Sequence, residues 1–488
     1  MRDLKSPVRC GDAVAPALLP ESLGDPRFLR EHGLRYAYAT GSMANAIASM
    51  PMVEAAGRAG LLGFFGSAGL PLENVEDAIL RLKDSLGGTP HGFNLIHSPN
   101  EPDLENAVCD LYLRRGVRLV EASAFMGLTP SIVRYRLSGL RRAPDGKVVA
   151  PNKVFAKISR SEVAEKFLSP APESMLRELS AAGFITAEEV ELAAEVPMAQ
   201  DVTVEGDSGG HTDNRPLISL LPAILALRDR LQAKHRFASP PRVGAAGGIA
   251  TPASAAAAYL MGAAYVMTGS VNQACVESGS CDRVRKMLAE AGQADVVMAP
   301  AADMFELGVK VQVLKRGTMF AMRAAKLYDV YRSYDSVEAL PPSVRGPLEK
   351  DLFREPLESV WTKTREFFLK RDPSQIERAE RDPKHKLALV FRSYLGQASR
   401  WANAGVPDRA LDYQVWCGPA MGAFNEWTKG SFLEVPENRS IATVALNLLY
   451  GAAVLTRAHF LRCQGVELDG ETLRTQPLTS GELDQLLH

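Results

Sequence analysis

One rhythm limits the folds open to this chain. From Leu34 to Ser270 a short apolar segment, a small-residue loop and a helical stretch recur eight times. The apolar segments are Leu34–Ala39, Leu61–Phe65, Gly92–Ile96, Val117–Ala122, Val154–Ile158, Asp201–Glu205, Arg242–Ala246 and Ala264–Thr268. They lack strict alternation, the pattern of parallel strands covered on both faces. The stretches between them read as helices, among them Pro51–Ala59, Leu72–Ser85, Pro102–Arg115, Pro172–Ala182 and Pro216–Gln232. Several start with Pro, which suits a first helical turn. Eight β/α units in about 260 residues match the size of a (β/α)8 barrel. A doubly wound open sheet is the alternative. The count of eight, with Gly-rich loops after units one, two, six, seven and eight, favours an α/β chain built as a TIM barrel with an added C-terminal helical subdomain.

The flanks divide around that barrel, which is placed at 34–327. Residues 1–33 are rich in Pro and read as an irregular lead-in. Residues 328–415 are strongly charged, broken at Pro341-Pro342 and Pro373, and carry helical segments at Leu357–Leu369 and Gln375–Arg381. They read as a lid-like helical subdomain, or as a packing or dimerisation element. Residues 416–488 are expected to pack back on the barrel through a final helix at about Ser440–Arg462, with a polar, peripheral tail. After strand four, Arg141–Ala150 carries the Pro-Asp-Gly signal of a small hairpin.

Charge excludes some partners. Lys+Arg is 56 against Asp+Glu 57, so no basic surplus points to nucleic acid or a membrane surface. No stretch is read as a signal peptide or a membrane span. Six cysteines (Cys10, Cys109, Cys275, Cys281, Cys417, Cys463) show neither a CxxC pair nor zinc spacing. They read as reduced thiols of a cytoplasmic protein, with no metal site.

Function in a barrel collects at the C-terminal ends of the strands. After strands seven and eight stand Gly247-Gly248 and Gly269-Ser270, where bare backbone N–H groups cradle a phosphate. Gly41-Ser42-Met43 after strand one has no bulky branched group, so a flat ring fits against its backbone. Asn94 on strand three is placed either to hydrogen-bond a ring carbonyl or as an ordinary core amide. Lys157 near the end of strand five needs an anion, which is either a reduced ring or a salt bridge to Glu121 or Glu205. Strand six runs into Asp207-Ser-Gly-Gly-His211. His211, preceded by Gly209 and Gly210, is the candidate proton donor. His97, just past strand three, is the second candidate.

Several motifs resemble a known family. Asp207–His211, Ala245–Ile249 and Val266–Ser270 are similar to the flavin-dependent nitronate monooxygenase and enoyl-acyl-carrier-protein reductase superfamily. Longer stretches, Gly92–Glu101, Ala150–Ser159, Asp207–Pro216, Ala301–Gln312 and Trp416–Phe424, look like the PfaD family of trans-acting enoyl reductases, which serve polyunsaturated fatty acid and polyketide synthases. The resemblance implies FMN as bound cofactor, NADPH as hydride donor, and an enoyl thioester on an acyl carrier protein as substrate. It maps the active-site histidine onto His211, the phosphate residues onto Gly247, Gly248, Gly269 and Ser270, and the strand-three asparagine onto Asn94. It also suggests a homodimer. Carrier proteins are acidic, so Arg134, Arg136, Arg141, Arg142 and Lys147 are set down as a docking patch near the barrel mouth, against the plainer reading of a solvated basic face. A nitronate oxidase and an inactive docking component of a synthase are the competing readings.

Overall fold

The computed structural model describes all 488 residues except Asn100, Thr472 and His488. Eight parallel strands close into a barrel: β1 Tyr38–Thr40, β2 Leu62–Phe65, β3 His91–Ile96, β4 Leu119–Ser123, β5 Lys153–Ile158, β6 Asp201–Glu205, β7 Arg242–Ala246 and β8 Val266–Thr268. Neighbours in sequence are neighbours in the sheet, and β8 closes on β1 through Val266↔Tyr38 and Thr268↔Thr40. All eight expected strands are present. The first starts at Tyr38 rather than Leu34, because the Arg35 and Tyr36 N–H groups bond to the Gly60 carbonyl instead of a ladder.

The first 33 residues are more than a lead-in. They hold a small hairpin, Val8–Cys10 with Ala13–Ala15, and a helix, Pro26–His32, that closes the bottom of the barrel. Asp25 caps that helix by accepting from the Arg27 N–H at 2.8 Å, and Gly33 ends it in the left-handed conformation. The ring of Phe28 stacks on Tyr265 at 4.4 Å, and His32 reaches Asp201 at 2.8 Å. Asp201 and Arg242 begin β6 and β7, are register partners, and are 0% and 2% exposed. Two hydrogen bonds of 2.7 and 2.8 Å join them. Burial works to raise the Asp201 carboxyl, but Arg242 and His32 outweigh it and hold it down at about 2.

Beyond β8 the chain builds a second core. A hairpin of β9 Val296–Pro300 and β10 Lys310–Leu314 leads into α1 Phe320–Ser333, α2 Leu357–Arg371, α3 Pro373–Arg381 and α4 Pro383–Ala404. Ala299, Phe305, Phe320, Leu327, Phe391 and Tyr394 belong to this one core. The expected boundary at 327/328 therefore falls inside α1, and the second unit starts near Val296. Asp372 and Asp382 cap α3 and α4, and each of these helices has Pro at its start.

The remaining chain returns to the barrel. Trp416 bridges to Val313, α5 spans Ala420–Thr428, and α6 Ile441–Cys463 packs along the Pro252–Leu260 helix. Contrary to the expectation that no stretch reads as a membrane span, α6 is long and apolar enough to cross a membrane. In the fold 83% of its most apolar window is buried, which makes it a core helix here. The tail is also less peripheral than expected, since Leu483 of the Ser480–Leu487 helix is buried.

The bottom network carries a testable energy. Arg242→Met leaves Asp201 buried without its guanidinium partner and with only His32 beside it, and the expected loss is about 3–5 kcal/mol of unfolding free energy, read from urea denaturation. Since the folded Asp201 carboxyl is held down, its contribution is complete above the unfolded carboxylate value of about 3.9. It fades as pH falls through about 2. A loss below about 1 kcal/mol contradicts this account.

Candidate active site

The loops at the C-terminal ends of the strands enclose two adjoining cavities, of about 850 Å³ and about 90 Å³. Ser42, Met43, Lys157, Glu205, Gly209 and Trp416 line both. Gly247, Gly248, Gly269 and Ser270, singled out in the sequence, come together around the smaller one, beside Gly41. Gly247 and Gly248 have φ of 76° and 77°, which favours glycine. A Cβ on Gly248 or Gly269 would meet nothing within 4 Å, so bare backbone faces open space there. Ser270 Oγ accepts the Gly418 N–H at 3.1 Å, which leaves its own proton to donate. Ser208, missed in the sequence, adds a buried hydroxyl with no partner among the described residues. These backbone N–H groups and hydroxyls are donors suited to a phosphate such as that of the FMN the family resemblance implies, with Lys157 beside the one carboxylate of the lining, Glu205.

Where the two cavities meet, charge is paired between half-buried side chains. Lys157 Nζ lies 3.5 Å from Glu205 Oε1. Burial lowers the Lys157 ammonium, but Glu205 and Glu121 outweigh it and keep the group raised and protonated. Burial pushes the Glu121 carboxyl up, against the pull of Lys157. Glu121 Oε2 accepts the Ser42 N–H at 2.7 Å and so fixes the loop after β1. The salt-bridge reading of Lys157 thus holds for Glu205. Asn94 lines the large cavity, but its Nδ2 donates to the Glu121 carbonyl at 3.1 Å and to Ser123 Oγ at 2.8 Å. Its amide donors are committed to β4, as a core amide's would be.

His211 sits on a two-residue strand, Gly210–His211, that pairs with β10 through Gly210↔Gln312 and His211↔Val311. Its Nε2 lies 3.2 Å from Asp303 Oδ1, in the connection between β9 and β10. Burial pulls the imidazolium down, but the Asp303 carboxylate outweighs it and the His211 pKa is raised. The pair faces the large cavity. Asp303 falls in the family-like stretch Ala301–Gln312, yet nothing local marks it as functional, because its partner is 92 residues away.

The other acidic residues of the β6 loop neither orient His211 nor cap the next helix. Asp207 accepts from Asn214 at 2.8 Å and from Gln312 at 2.7 Å, tying the loop to β10. Asp213 pairs with Arg160 at 2.8 Å and accepts from Ser159 at 2.6 Å, tying it to β5's exit. His97 is held by Glu105 at 2.8 Å and stacks on Phe125 at 5.3 Å. It is not among the residues that line either cavity.

The expected docking patch is corrected. The hairpin of Arg141–Arg142 and Val148–Val149 forms, but it stands between a barrel helix and the start of β5. A β/α unit returns the chain to the N-terminal face before the next strand, so the hairpin lies at the opposite end from the mouth. Arg136 is 3% exposed and donates to the Pro197 and Asn152 carbonyls. Burial brings its pKa down to about 10. Arg134, Arg142 and Lys147 are paired with Asp110, Glu195 and Asp145.

The helical unit supplies the other wall of the large cavity, through α2 and α4. Residues 334–413 match the family model for the inserted helical domain of [acyl-carrier-protein] S-malonyltransferase. Over 92% of its length the chain is 51% identical to one of the polyunsaturated fatty acid synthase subunits of Thraustochytrium sp., covering 30% of that protein. It is 46% identical, over 91% of its length, to the polyketide biosynthesis protein PksE of Bacillus subtilis, covering 57% of it. The chain therefore spans roughly a third to a little over half of these relatives. It also superposes on the crystal structure of the enoyl reductase domain of MlnA, from the macrolactin biosynthesis cluster of Bacillus amyloliquefaciens. There the TM-score is 0.84 at 38% identity, covering 91% of this chain and 99% of that domain.

Asp303→Asn removes the carboxylate that raises His211 and leaves burial and the Lys157 charge, both lowering, against Glu205. The His211 titration followed by NMR is expected to move to lower pH. An unchanged midpoint rules out Asp303 as the controlling partner.

Proposed function

We propose that this chain, which belongs to the PfaD-like family of trans-acting enoyl reductases, is an FMN-dependent enoyl reductase. On this reading it uses NADPH to reduce α,β-unsaturated acyl thioesters presented by acyl carrier protein domains of a fatty acid or polyketide synthase. The observation that carries this reading is a pair of adjoining cavities with six lining residues in common, a phosphate cradle in the smaller and an acid–carboxylate pair, His211 and Asp303, on the wall of the larger.

Gly247, Gly248, Gly269, Ser270 and Ser208 would hold the FMN phosphate. Ser42, Met43, Lys157 and Glu205, which line both cavities, are the residues left to meet the ring. When bound, the flavin would supply hydride, taken from NADPH, to Cβ of the enoyl thioester. Lys157, kept protonated by its carboxylate neighbours, offsets negative charge that develops beside it. His211 supplies the proton to Cα, and its raised pKa keeps that proton available near neutral pH. Asp303 orients the imidazole and stabilises its charged form. The α2–α4 wall keeps bulk water from the reacting carbons.

The test is turnover of NADPH with a crotonyl-type thioester, with oxygen consumption followed in parallel. Oxygen-independent formation of the saturated thioester supports the reductase. Oxygen-dependent loss of a nitronate without enoyl reduction overturns it. His211→Ala is expected to keep its flavin and slow reduction by roughly 10²–10⁴-fold, the usual worth of a general acid. Ser270→Asp places a carboxylate in the cradle. It is expected to yield a folded, colourless protein, whereas retained flavin would remove Ser270 from the phosphate site.

A further inference from the structure

The large cavity reaches well beyond His211 and Asp303, as far as the helical unit. It lies against the inner face of α2, where Val360, Thr364 and Phe368 recur at a spacing of four residues and line it as one stripe. Leu104 and Val108, also four apart, line it from the barrel helix Pro102–Arg115. Thr364 is 4% exposed, and its hydroxyl donates to the Val360 carbonyl at 2.7 Å. With its polar atom satisfied inside the helix, the side chain offers the cavity a methyl group.

The charges beside this stripe are mostly spent. Of the cations that α2 and α4 bring to the cavity, Lys363 pairs with Glu355 at 2.6 Å, Arg371 with Glu101 at 2.7 Å and Arg392 with Glu306 at 3.2 Å. Arg400 is the exception, with no ion pair among the described residues. A space walled by apolar side chains and by cations of which all but Arg400 are already paired is poor for a polyanion. It suits an uncharged hydrocarbon chain, because burying each methylene is favourable and no polar group is stranded.

We propose that this arm of the cavity holds the acyl chain of the substrate, and that Val360, Thr364 and Phe368 on α2, facing Leu104 and Val108, set the chain length accepted. The inference rests on the enoyl reductase reading for its chemistry, but its geometry belongs to the helical unit. The lid then has a second use besides excluding water, namely to select a medium or long acyl chain over a short one.

Two substitutions act in opposite directions. Thr364→Trp fills the arm, and Phe368→Ala widens it. With the holoenzyme, kcat/KM is compared for crotonyl and trans-2-dodecenoyl thioesters. Thr364→Trp is expected to lower the dodecenoyl/crotonyl ratio by roughly tenfold or more, the discrimination a hydrophobic pocket achieves by shape. Phe368→Ala is expected to raise it, which keeps the question decidable if the tryptophan variant fails to fold. Calorimetric binding of saturated dodecanoyl thioester gives a readout independent of turnover, and is expected to weaken in Thr364→Trp. Binding that weakens in this way with no enoyl reduction by the wild type supports the acyl site and overturns the reductase reading instead. A ratio unchanged in both variants, or dodecanoyl binding untouched by Thr364→Trp, overturns the acyl site.

Discussion

The site depends on one seam, where two backbones meet with no side chain between them. Ser208-Gly209, after β6, packs on Cys417-Gly418. A Cβ on Gly209 would lie 2.9 Å from Cys417 backbone, and one on Gly418 would lie 2.8 Å from the Gly209 nitrogen. This close approach lets Gly210–His211 join β10 as a third strand, while Trp416 bridges to Val313 on the same hairpin. The loop after β6 is thus shared between the barrel and the helical unit. His211 comes from the barrel, Asp303 from the hairpin connection, and Trp416 from the returning chain. None of the three units builds the pocket alone.

The two ends of the barrel handle buried charge in different ways. At the bottom, Asp201 and Arg242 pair through both carboxylate oxygens and His32 Nε2 joins them, which leaves His32 Nδ1 buried without a partner among the described residues. At the mouth, satisfaction is less complete. Glu121 Oε1 and the Ser208 hydroxyl are buried without partners among the described residues, and Lys157 reaches Glu205 only at 3.5 Å. Leaving polar groups unsatisfied costs free energy, and the Ser208 hydroxyl lines the smaller cavity, where a bound phosphate would satisfy it. Burial also removes one chemistry from the mouth. It pushes the Cys417 thiol up to about 12, so no thiolate stands beside His211.

The sequence made the barrel legible because its signal is local and repeated. Each strand is a short buried run and each glycine loop follows directly, so strand count, order and the loops after β1, β6, β7 and β8 all followed from the chain. His211 was legible for the same reason, as a titratable group one loop beyond a strand end. What failed needed tertiary information. Asp303 stands in an ordinary connection and acquires its meaning only when β10 pairs with His211. The position of the Arg141–Lys147 hairpin after strand four suggests the mouth, but an insertion before the next strand sits on the opposite face. The amphipathic pattern of α2 announced a helix without saying that one face would line a cavity. The 1–33 segment looked irregular because its helix is short and its partners, Asp201 and Arg242, lie far along the chain.

The chain belongs to the PfaD-like family of enoyl reductases, and the proposed function divides the work among a cradle for phosphate, a paired lysine beside it, and a histidine held by a carboxylate facing the cavity. The most direct measurement separates the two half-reactions. Purified protein is reduced anaerobically with NADPH, freed of nicotinamide, and mixed with an enoyl thioester while flavin absorbance is followed. The account predicts bleaching by NADPH and then return of the oxidised spectrum, with one saturated thioester formed per flavin. A protein that cannot be loaded with flavin, or a reduced flavin that only oxygen reoxidises, would contradict it.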